Sequence, residues 1–391
     1  MGLGRRSSRT YTDHVSGPLD GLKVIELAGI GPSPYACMLL ADFGADVLRI
    51  ERGDVDADQE PTWDLVNRSR PSVAVDLKSD AGRELILELC EQADVLIEGF
   101  RPGVTERLGL GPLDVATRNP TLVYGRMTGY GQDGPLAQRA GHDINYIAVS
   151  GALWPMGRRG ERPLPPLNLV GDFGGGSMFL VFGVLAAVLS ARATGEGQVV
   201  DAAMVDGSAS LLTMTHAMMN AGFWHDERGT NLLDSGAPFY EVYETSDRQY
   251  MAVGAIESKF YDALLQGLGL NGEELAAQFD RDAWPDMKER FASIFRQKSR
   301  DEWTGIFADV DACVTPVLSS REAAHHPYNT AREVFIVDGV VQPRPAPRLS
   351  RSPGAIGQAP GKPGSGTRSG LASWGVDERR QEALRAQGAF G

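Results

Sequence analysis

Two short segments of this chain carry residue types suited to opposite halves of one proton-transfer reaction. Residues 141–146 read GHDINY and contain His142, and residues 171–176 read GDFGGG and contain Asp172. Imidazole and carboxylate groups commonly give or accept a proton in catalysis once their surroundings adjust their pKa values. We therefore take His142 and Asp172 as a candidate acid/base pair.

The sequence after Asp172 predicts a place for developing negative charge. An uncharged apolar run at 178–189 indicates a buried helix, so Asp172 is expected near its N-terminus. Unpaired N–H groups and the helix dipole favour negative charge there, and the three glycines at 174–176 would let a substrate approach the backbone. We expect the N–H groups of Asp172 and Phe173 to stabilise an oxyanion.

Each candidate also has a purely structural interpretation. A histidine at a helix start is more often a cap or a hydrogen-bonded polar residue than a catalyst. Asp172 before a helix would serve equally as an N-cap. Neither residue identifies a reaction by itself; that depends on the elements that position the pair.

Short β-branched runs alternate with helical patterns in the first half of the chain, which predicts a parallel sheet. We expect a Rossmann-like doubly wound α/β domain with a helix at 81–91 and strands at 22–28, 44–51, 72–77, 93–98, 122–126 and 198–204. The first βα turn reads GIGPSP rather than GxGxxG, and its prolines lack amide donors that a pyrophosphate would use. A nicotinamide dehydrogenase is therefore disfavoured.

The length of 391 residues suggests two domains. Alternating aromatic and polar residues at 236–254 predict an antiparallel hairpin that opens a smaller α+β domain with three helices. A Pro/Gly/Ser/Arg-rich stretch at 341–370 predicts an extended tail, followed by a short polar helix at 376–387. The expected order is a disordered extension at 1–18, a large domain at 19–205, a linker helix at 206–232 and a small domain at 233–328.

Composition limits the function classes. The net charge of −13 argues against nucleic acid or an anionic membrane as a general partner. Cys37, Cys90 and Cys313 have no CxxC or metal-ligand spacing, which fits a reducing cytoplasm rather than a disulfide framework or a zinc site. The apolar run is shorter than the roughly 20 residues of a membrane span. We expect a cytoplasmic protein with no metal and no membrane partner.

Three segments occur in the order GHDINY at 141–146, NLVGDFGGGSMF at 168–179 and GQVVDAAMVDG at 197–207. They closely resemble the α-methylacyl-CoA racemases, a branch of the family III CoA-transferase superfamily, and the likeness extends from about residue 17 to 348. The resemblance implies interconversion of (R)- and (S)-2-methylacyl-CoA thioesters by 1,1-proton transfer through an enolate, in branched-chain fatty acid or related lipid metabolism. It also implies the family III CoA-transferase fold, with residues 329–391 returning to the large domain and two subunits forming an interlocked homodimer.

The resemblance assigns roles residue by residue. His142 and Asp172 correspond to the two acid/base residues, and Glu257 in GAIESKFY corresponds to a glutamate that pairs with the histidine. Such a carboxylate would hold the imidazole's tautomer and raise its pKa. Without the resemblance, Glu257 would be an ordinary surface carboxylate. No cofactor is implied, since coenzyme A is part of the substrate.

The phosphates of coenzyme A call for arginine and lysine. Four cations near the ends of predicted strands, where open α/β sheets place ligands, are candidates: Arg52, Lys78, Arg101 and Arg107. The resemblance adds positions in three segments that line the CoA site: Val75, Asp76, Leu77, Gly99, Phe100, Gly141, Asp143, Ile144, Asn145 and Tyr146. Each cation alone could be a surface charge, whereas the set favours coenzyme A.

Two further interpretations stay open. In a CoA-transferase of the same superfamily, Asp172 would attack an acyl-CoA to form a mixed anhydride, but the transferases generally lack the pairing of His142 with Glu257. A non-catalytic CoA-binding protein would bind coenzyme A without exchanging α-protons. A methionine cluster at 204, 214, 218 and 219 suits either a flexible acyl surface or ordinary core packing.

Overall fold

The computed structural model describes residues 16–52 and 64–390; most of the predicted extension at 1–18 lies outside them. The strands are β1 Lys23–Leu27, β2 Asp46–Glu51, β3 Ser72–Ala74, β4 Val95–Glu98, β5 Val123–Thr128, β6 Val199–Ala203, β7 Tyr240–Glu244, β8 Tyr250–Gly254, β9 Val314–Pro316, β10 Phe335–Asp338 and β11 Val340–Pro343. The helices are α1 Pro32–Asp42, α2 Asp80–Cys90, α3 Val104–Arg107, α4 Pro112–Arg118, α5 Asp143–Val149, α6 Met178–Thr194, α7 Met204–Leu211, α8 Thr213–Asn220, α9 Ser258–Gly267, α10 Trp284–Phe295, α11 Arg300–Phe307, α12 Ser320–Ala323, α13 Pro327–Ala331, α14 Thr367–Ser373 and α15 Glu378–Ala386.

Six parallel strands form one sheet in the order β3-β2-β1-β4-β5-β6. Successive residues of β1 point to opposite faces, because Val24 packs with α1 and α6 whereas Ile25 packs with α2, α14 and α15. Helices therefore cover both faces, which confirms the doubly wound α/β prediction. The strand order reverses between β1 and β4, and such a switch point is where open α/β sheets bind ligands.

The chain divides into two compact units. The larger unit contains the described residues up to Ser150, then Leu167–Leu211 and the chain from Phe335 onward; the smaller contains Gly151–Pro166 and Leu212–Val334. Residues 151–166, expected in the large domain, thus group with the small one. Long-range contacts explain this, because Arg158 pairs with Glu241 at 3.1 Å and Arg228 donates to the carbonyl of Trp154 at 2.7 Å. The expected linker at 206–232 is also divided, with α7 in the larger unit and α8 in the smaller.

The smaller unit contains an antiparallel sheet in the order β7-β8-β9. Helices α9, α10 and α11 contribute to its core, which is rich in aromatic side chains. Tyr243 stacks on Phe295 with ring centroids 5.0 Å apart, and Trp303 packs against the same phenylalanine at 5.0 Å. The alternation of aromatic and polar residues predicted this hairpin because β7 buries every second residue.

The apolar segment around Asp172 differs from the expected buried helix. A π-helical segment, Leu169–Ser177, precedes α6, and together they form a helix long and apolar enough to cross a membrane by length and composition. One side of α6 packs on the sheet, but Met178, Phe182 and Leu189 on another side are 50%, 73% and 69% exposed. The predicted buried helix is therefore buried on one side only, and α6 leaves an apolar stripe uncovered.

Candidate active site

A cavity of about 410 Å³ opens at the switch point of the larger unit's sheet. Its walls come from the segments after β1, β4 and β5, from the loop before α5, and from the π-helical segment. His142 and Asp172 both line it. The two residues that the sequence singled out for proton transfer therefore share one cavity.

The carboxylate of Asp172 has few hydrogen-bond partners among the described residues. Asn168 donates to its Oδ2 at 3.2 Å, and Gly31, with φ of 71°, lies so close that a Cβ there would be 3.1 Å from the same oxygen. Partial burial raises the pKa of Asp172, and the Asp143 carboxylate raises it further, whereas Asn168 and His142 lower it. The net increase moves this carboxylate toward the range in which an acid/base group is most useful.

The amides expected to stabilise an oxyanion are already engaged. The N–H of Asp172 donates to Asp143 Oδ2 at 2.7 Å, and the N–H of Phe173 donates to the carbonyl of Asn168 at 3.4 Å. That prediction is therefore wrong for these two amides. The cause is the π-helical backbone, together with the carboxylate that α5 presents to it.

Two of the three glycines after Phe173 allow close packing of helices, and their role in substrate approach stays a prediction. A Cβ on Gly175 would lie 2.7 Å from the backbone nitrogen of Ser208, and one on Gly176 would lie 2.9 Å from the side chain of Met204. Both neighbours belong to α7, which crosses the π-helical segment closely. The glycines thus allow two backbones to approach and so hold Asp172 in place.

His142 is the residue immediately before α5. Its backbone N–H donates to Asn145 Oδ1 at 3.0 Å, so this main-chain group takes part in capping the helix. Its imidazole lines the cavity and is exposed. Solvent can therefore reach this group, as an acid/base residue requires when it must be reprotonated between turnovers.

Tyr146 forms a fixed wall beside the pair. Its hydroxyl donates to the carbonyl of Gly141, and its ring packs edge-on against Tyr130 with centroids 5.0 Å apart. A Cβ on Gly129 would collide with the same ring. Burial raises the pKa of Tyr146 to about 12, so this phenol stays protonated at neutral pH and shapes the cavity without titrating.

The structure gathers only part of the expected substrate-binding set. The cavity is lined by Gly99, Phe100, Arg101, Gly141 and Tyr146, besides the catalytic candidates. The other positions lie outside its wall: Arg52, Val75, Asp76, Leu77, Lys78, Arg107, Asp143, Ile144 and Asn145. Arg52 and Lys78 are exposed just beyond the carboxyl ends of β2 and β3, so their contact with coenzyme A stays a prediction. Asp143 is a different case, because its side chain faces the backbone of Asp172.

Glu257 belongs to the smaller unit. It is exposed and stands immediately before α9. Its proposed pairing with His142 stays a prediction. Of the methionine cluster, Met204 lines the cavity, whereas the other three lie on α8 in the smaller unit, so a shared acyl surface also stays a prediction.

Two charged residues were not predicted from the sequence: Arg139, which lines the cavity, and Glu98, which precedes Gly99 but lies outside the wall. Arg139 stands in the loop before α5 with an exposed side chain, but a cation in a loop carries no periodic signal. Glu98, the last residue of β4, is fully buried; it accepts from the N–H of Phe100 at 2.6 Å and from Arg126 Nε at 2.9 Å. Burial raises the pKa of Glu98 to about 7 despite that arginine.

Among residues 16–52 and 64–390, no group of three or more His, Cys, Asp or Glu side chains is arranged to hold a metal ion. Several side chains at the cavity wall can take part in chemistry. They are an exposed imidazole, a half-buried carboxylate of raised pKa, and two cations at the wall, Arg101 and Arg139.

Comparison with known proteins agrees with this arrangement. Residues 19–368 match CoA-transferase family III. The chain is 48% identical to the mouse Alpha-methylacyl-CoA racemase and 46% identical to the human one, in each case over 86% of this chain and 87% of the relative. A CAIB/BAIF family protein from Brucella suis shares the fold, with a TM-score of 0.79 at 24% identity over 92% of this chain and 100% of that one. The chain belongs to CoA-transferase family III.

Proposed function

We propose that this protein is an α-methylacyl-CoA racemase, which interconverts the (R) and (S) epimers of 2-methylacyl-CoA thioesters. The observation that carries the proposal is the shared cavity of His142 and Asp172 at the switch point of the sheet. The mouse and human relatives named for this activity support it. The reaction would serve branched-chain fatty acid or related lipid metabolism.

The reaction needs two groups in opposite protonation states. In one direction, ionised Asp172 removes the α-proton and leaves a thioester enolate, and protonated His142 then delivers a proton to the opposite face of the same carbon. In the other direction the two residues exchange roles. The raised pKa of Asp172 makes its carboxylate a stronger base, so it can remove the α-proton in one direction and return a proton as the acid in the other.

Each turnover leaves the pair with its protonation states reversed. Because His142 is exposed, exchange with solvent can restore it before the next substrate binds. We assign Glu257 the role of holding this imidazole, as in the racemases. No metal or redox cofactor enters this scheme, since the thioester itself makes the α-proton acidic.

Cations at and beyond the cavity would bind the CoA moiety. Arg101 and Arg139 stand at the wall itself, within reach of a group that enters the cavity. Arg52, Lys78 and Arg107 carry the rest of the proposed contacts to the phosphates, which guanidinium and ammonium groups recognise by charge-assisted hydrogen bonds.

The competing function is CoA transfer. There the Asp172 carboxylate would attack the thioester carbonyl, forming an acyl–aspartyl anhydride and releasing the CoA thiolate. The thiolate would attack the aspartyl carbonyl and free the first acid, and the second carboxylate would then displace it to form a new anhydride. Attack of the thiolate on the new acyl carbonyl would give the second thioester and regenerate Asp172. The presence of Asp172 in the cavity is equally compatible with this chemistry. The imidazole of His142 favours the racemase, because transfer through an anhydride needs no proton delivered to carbon.

Incubation of a single 2-methylacyl-CoA epimer with the protein in deuterium oxide separates the two functions. A racemase incorporates deuterium at the α-carbon and destroys the optical purity, with or without an added carboxylic acid. A CoA-transferase forms a new thioester only when the acid is present, and the α-proton is retained. The second result would reject the proposed function.

We further propose that the protein is a cytoplasmic, interlocked homodimer. The spacing of Met178, Phe182 and Leu189 puts their exposed side chains on one side of α6, where a second subunit would bury them. Light scattering of the purified protein should give twice the chain mass of 42.1 kDa. Flotation with phospholipid vesicles tests the alternative that this stripe binds a membrane.

A further inference from the structure

Asp143 lies between the two catalytic candidates. It follows His142 directly in the sequence and begins α5, yet its side chain is turned into the protein and is only 6% exposed. Its Oδ2 accepts the backbone N–H of Asp172 at 2.7 Å. The side chain of Asp143 therefore links the main chain next to His142 to the main chain of Asp172.

The packing around this hydrogen bond is tight. A Cβ on Gly171 would lie 2.6 Å from Asp143 Oδ2 and 3.2 Å from its Cα, so only glycine can precede Asp172 here. The other side of the Asp172 backbone is also contacted, because the buried hydroxyl of Ser177 lies 3.0 Å from its carbonyl and shares its one proton between that carbonyl and the carbonyl of Pro32 at 2.8 Å. The peptide units on both sides of the catalytic carboxylate are therefore contacted by side chains.

The second oxygen of Asp143 has no hydrogen-bond partner within the described part of the chain, although it is buried. A buried polar atom left unpaired is costly, and in native proteins such atoms often mark a functional requirement. No arginine or lysine forms an ion pair with Asp143 among the described residues. Its charge is therefore available to act on Asp172.

The charged surroundings of Asp172 are few. Asp143, the first residue of α5, raises the pKa of Asp172, and His142, immediately before that helix, lowers it. The segment before α1 approaches the carboxylate through the backbone of Gly31. On α7, the carboxylate of Asp206 acts instead on Asp201. Asp143 is thus the carboxylate whose removal should change the basicity of Asp172 most.

We propose that Asp143 is a positioning residue for the acid/base pair. Its carboxylate accepts one hydrogen bond from the Asp172 backbone and so fixes the position of Asp172 relative to His142. The same carboxylate places a negative charge beside the Asp172 side chain, and this charge makes Asp172 a stronger base. The inference rests on the proposed racemase function. It differs from the substrate-binding role expected for Asp143, because the side chain does not line the cavity.

Two substitutions separate the parts of this role. Asp143→Asn keeps an oxygen that can accept the Asp172 N–H and removes the charge; Asp143→Ala removes both. Asp206→Asn is the matched control, since it removes an exposed negative charge from α7, a helix that packs against the same π-helical segment. For each protein, kcat, KM and the pH profile of α-proton exchange are measured in deuterium oxide, starting from each epimer.

We expect the acidic limb of the Asp143→Asn profile to shift to lower pH, with KM unchanged, for the epimer whose proton Asp172 removes. Asp143→Ala should lose about 10- to 100-fold in kcat, because a small displacement of a catalytic group is costly. Asp206→Asn should match the wild type. An unchanged profile and kcat in Asp143→Asn, or a change confined to KM, would overturn the proposal.

A readout independent of catalysis distinguishes this inference from the proposed function. In protein labelled with carbon-13 at the aspartate carboxyl groups, the resonance absent from Asp172→Asn identifies Asp172. Its titration midpoint should fall in Asp143→Asn. If the wild type exchanges no α-protons, the racemase assignment fails, and this titration still decides the inference: a lower midpoint supports the positioning role and an unchanged midpoint rejects it.

Discussion

Two acidic side chains near the carboxyl edge of the same sheet have opposite surroundings. Glu26 in β1 is fully buried and bound by Arg70 at 2.6 Å and by Arg49. Burial alone would raise the pKa of Glu26, but these two arginines outweigh it and lower the pKa. Among the residues that the structure describes, Asn168 is the one side-chain donor to the Asp172 carboxylate, and the pKa of Asp172 is raised.

The difference separates a structural charge from a functional one. A carboxylate that is neutralised on both oxygens holds elements together but cannot exchange a proton at neutral pH. A carboxylate that is only partly paired costs stability and gains basicity. In this protein Glu26 joins β1, β2 and the segment before β3 through its two arginines. Asp172, which has fewer partners, lines the cavity.

The largest expected effect is on catalysis. Asp172→Asn keeps the shape of the side chain and removes its ability to accept a proton, so α-proton exchange should fall by about 10²- to 10⁴-fold. His142→Ala should cause a loss of the same order. Exchange in deuterium oxide measures both. Binding of coenzyme A by calorimetry is the control, and it should stay close to wild type if the two residues act on the proton alone.

The next effect is on stability. Glu26→Gln removes the carboxylate paired with buried Arg70 and one of the two paired with buried Arg49, which keeps Glu51. Breaking such a buried pair costs about 3–5 kcal/mol of unfolding free energy. Urea unfolding measures this change. Glu84→Gln removes an exposed partner of Arg118 and should cost less than about 1 kcal/mol. Equal effects of the two substitutions would show that the buried network is not what distinguishes Glu26.

Glu98 is fully buried like Glu26, but its pKa is raised like that of Asp172. Its pKa is about 7 in the folded protein against an ordinary value of 4.5, so the folded state binds more protons between these two pH values. The free energy of unfolding should therefore fall as pH rises through this window, by up to about 3 kcal/mol. Urea unfolding at pH 5 and pH 8 tests this, and Glu98→Gln should remove the decrease.

The matched control for Glu98 is Glu106→Gln, which removes the other carboxylate bound to Arg126. Glu106 is largely exposed and its pKa is lowered, so any contribution it makes is lost only at acidic pH. The decrease between pH 5 and pH 8 should persist in Glu106→Gln. Its disappearance there would assign the effect to Arg126 rather than to burial of Glu98.

Much of the larger unit could be predicted from the sequence, because its strands are short β-branched runs separated by helical patterns. Assignment of 151–166 to the smaller unit could not, since it depends on the contact of Arg158 with Glu241, far apart in the chain. His142 and Asp172 were recognisable from their motifs. The engagement of the amides of Asp172 and Phe173 was not, because it depends on the π-helical backbone and on a carboxylate that α5 brings from elsewhere in the fold.

The smallest effect concerns Asn168, which donates to the Asp172 carboxylate. Asn168→Ala removes the hydrogen bond at 3.2 Å, which lowers the pKa of Asp172 in the wild type, so the acidic limb of the exchange profile should move to higher pH. At neutral pH the rate should change only a few-fold, roughly what one neutral hydrogen bond contributes. This shift is opposite in sign to the one expected for Asp143→Asn. Shifts of opposite sign would show that the basicity of Asp172 is set by its two polar neighbours, and shifts of the same sign would show that both substitutions act through local unfolding.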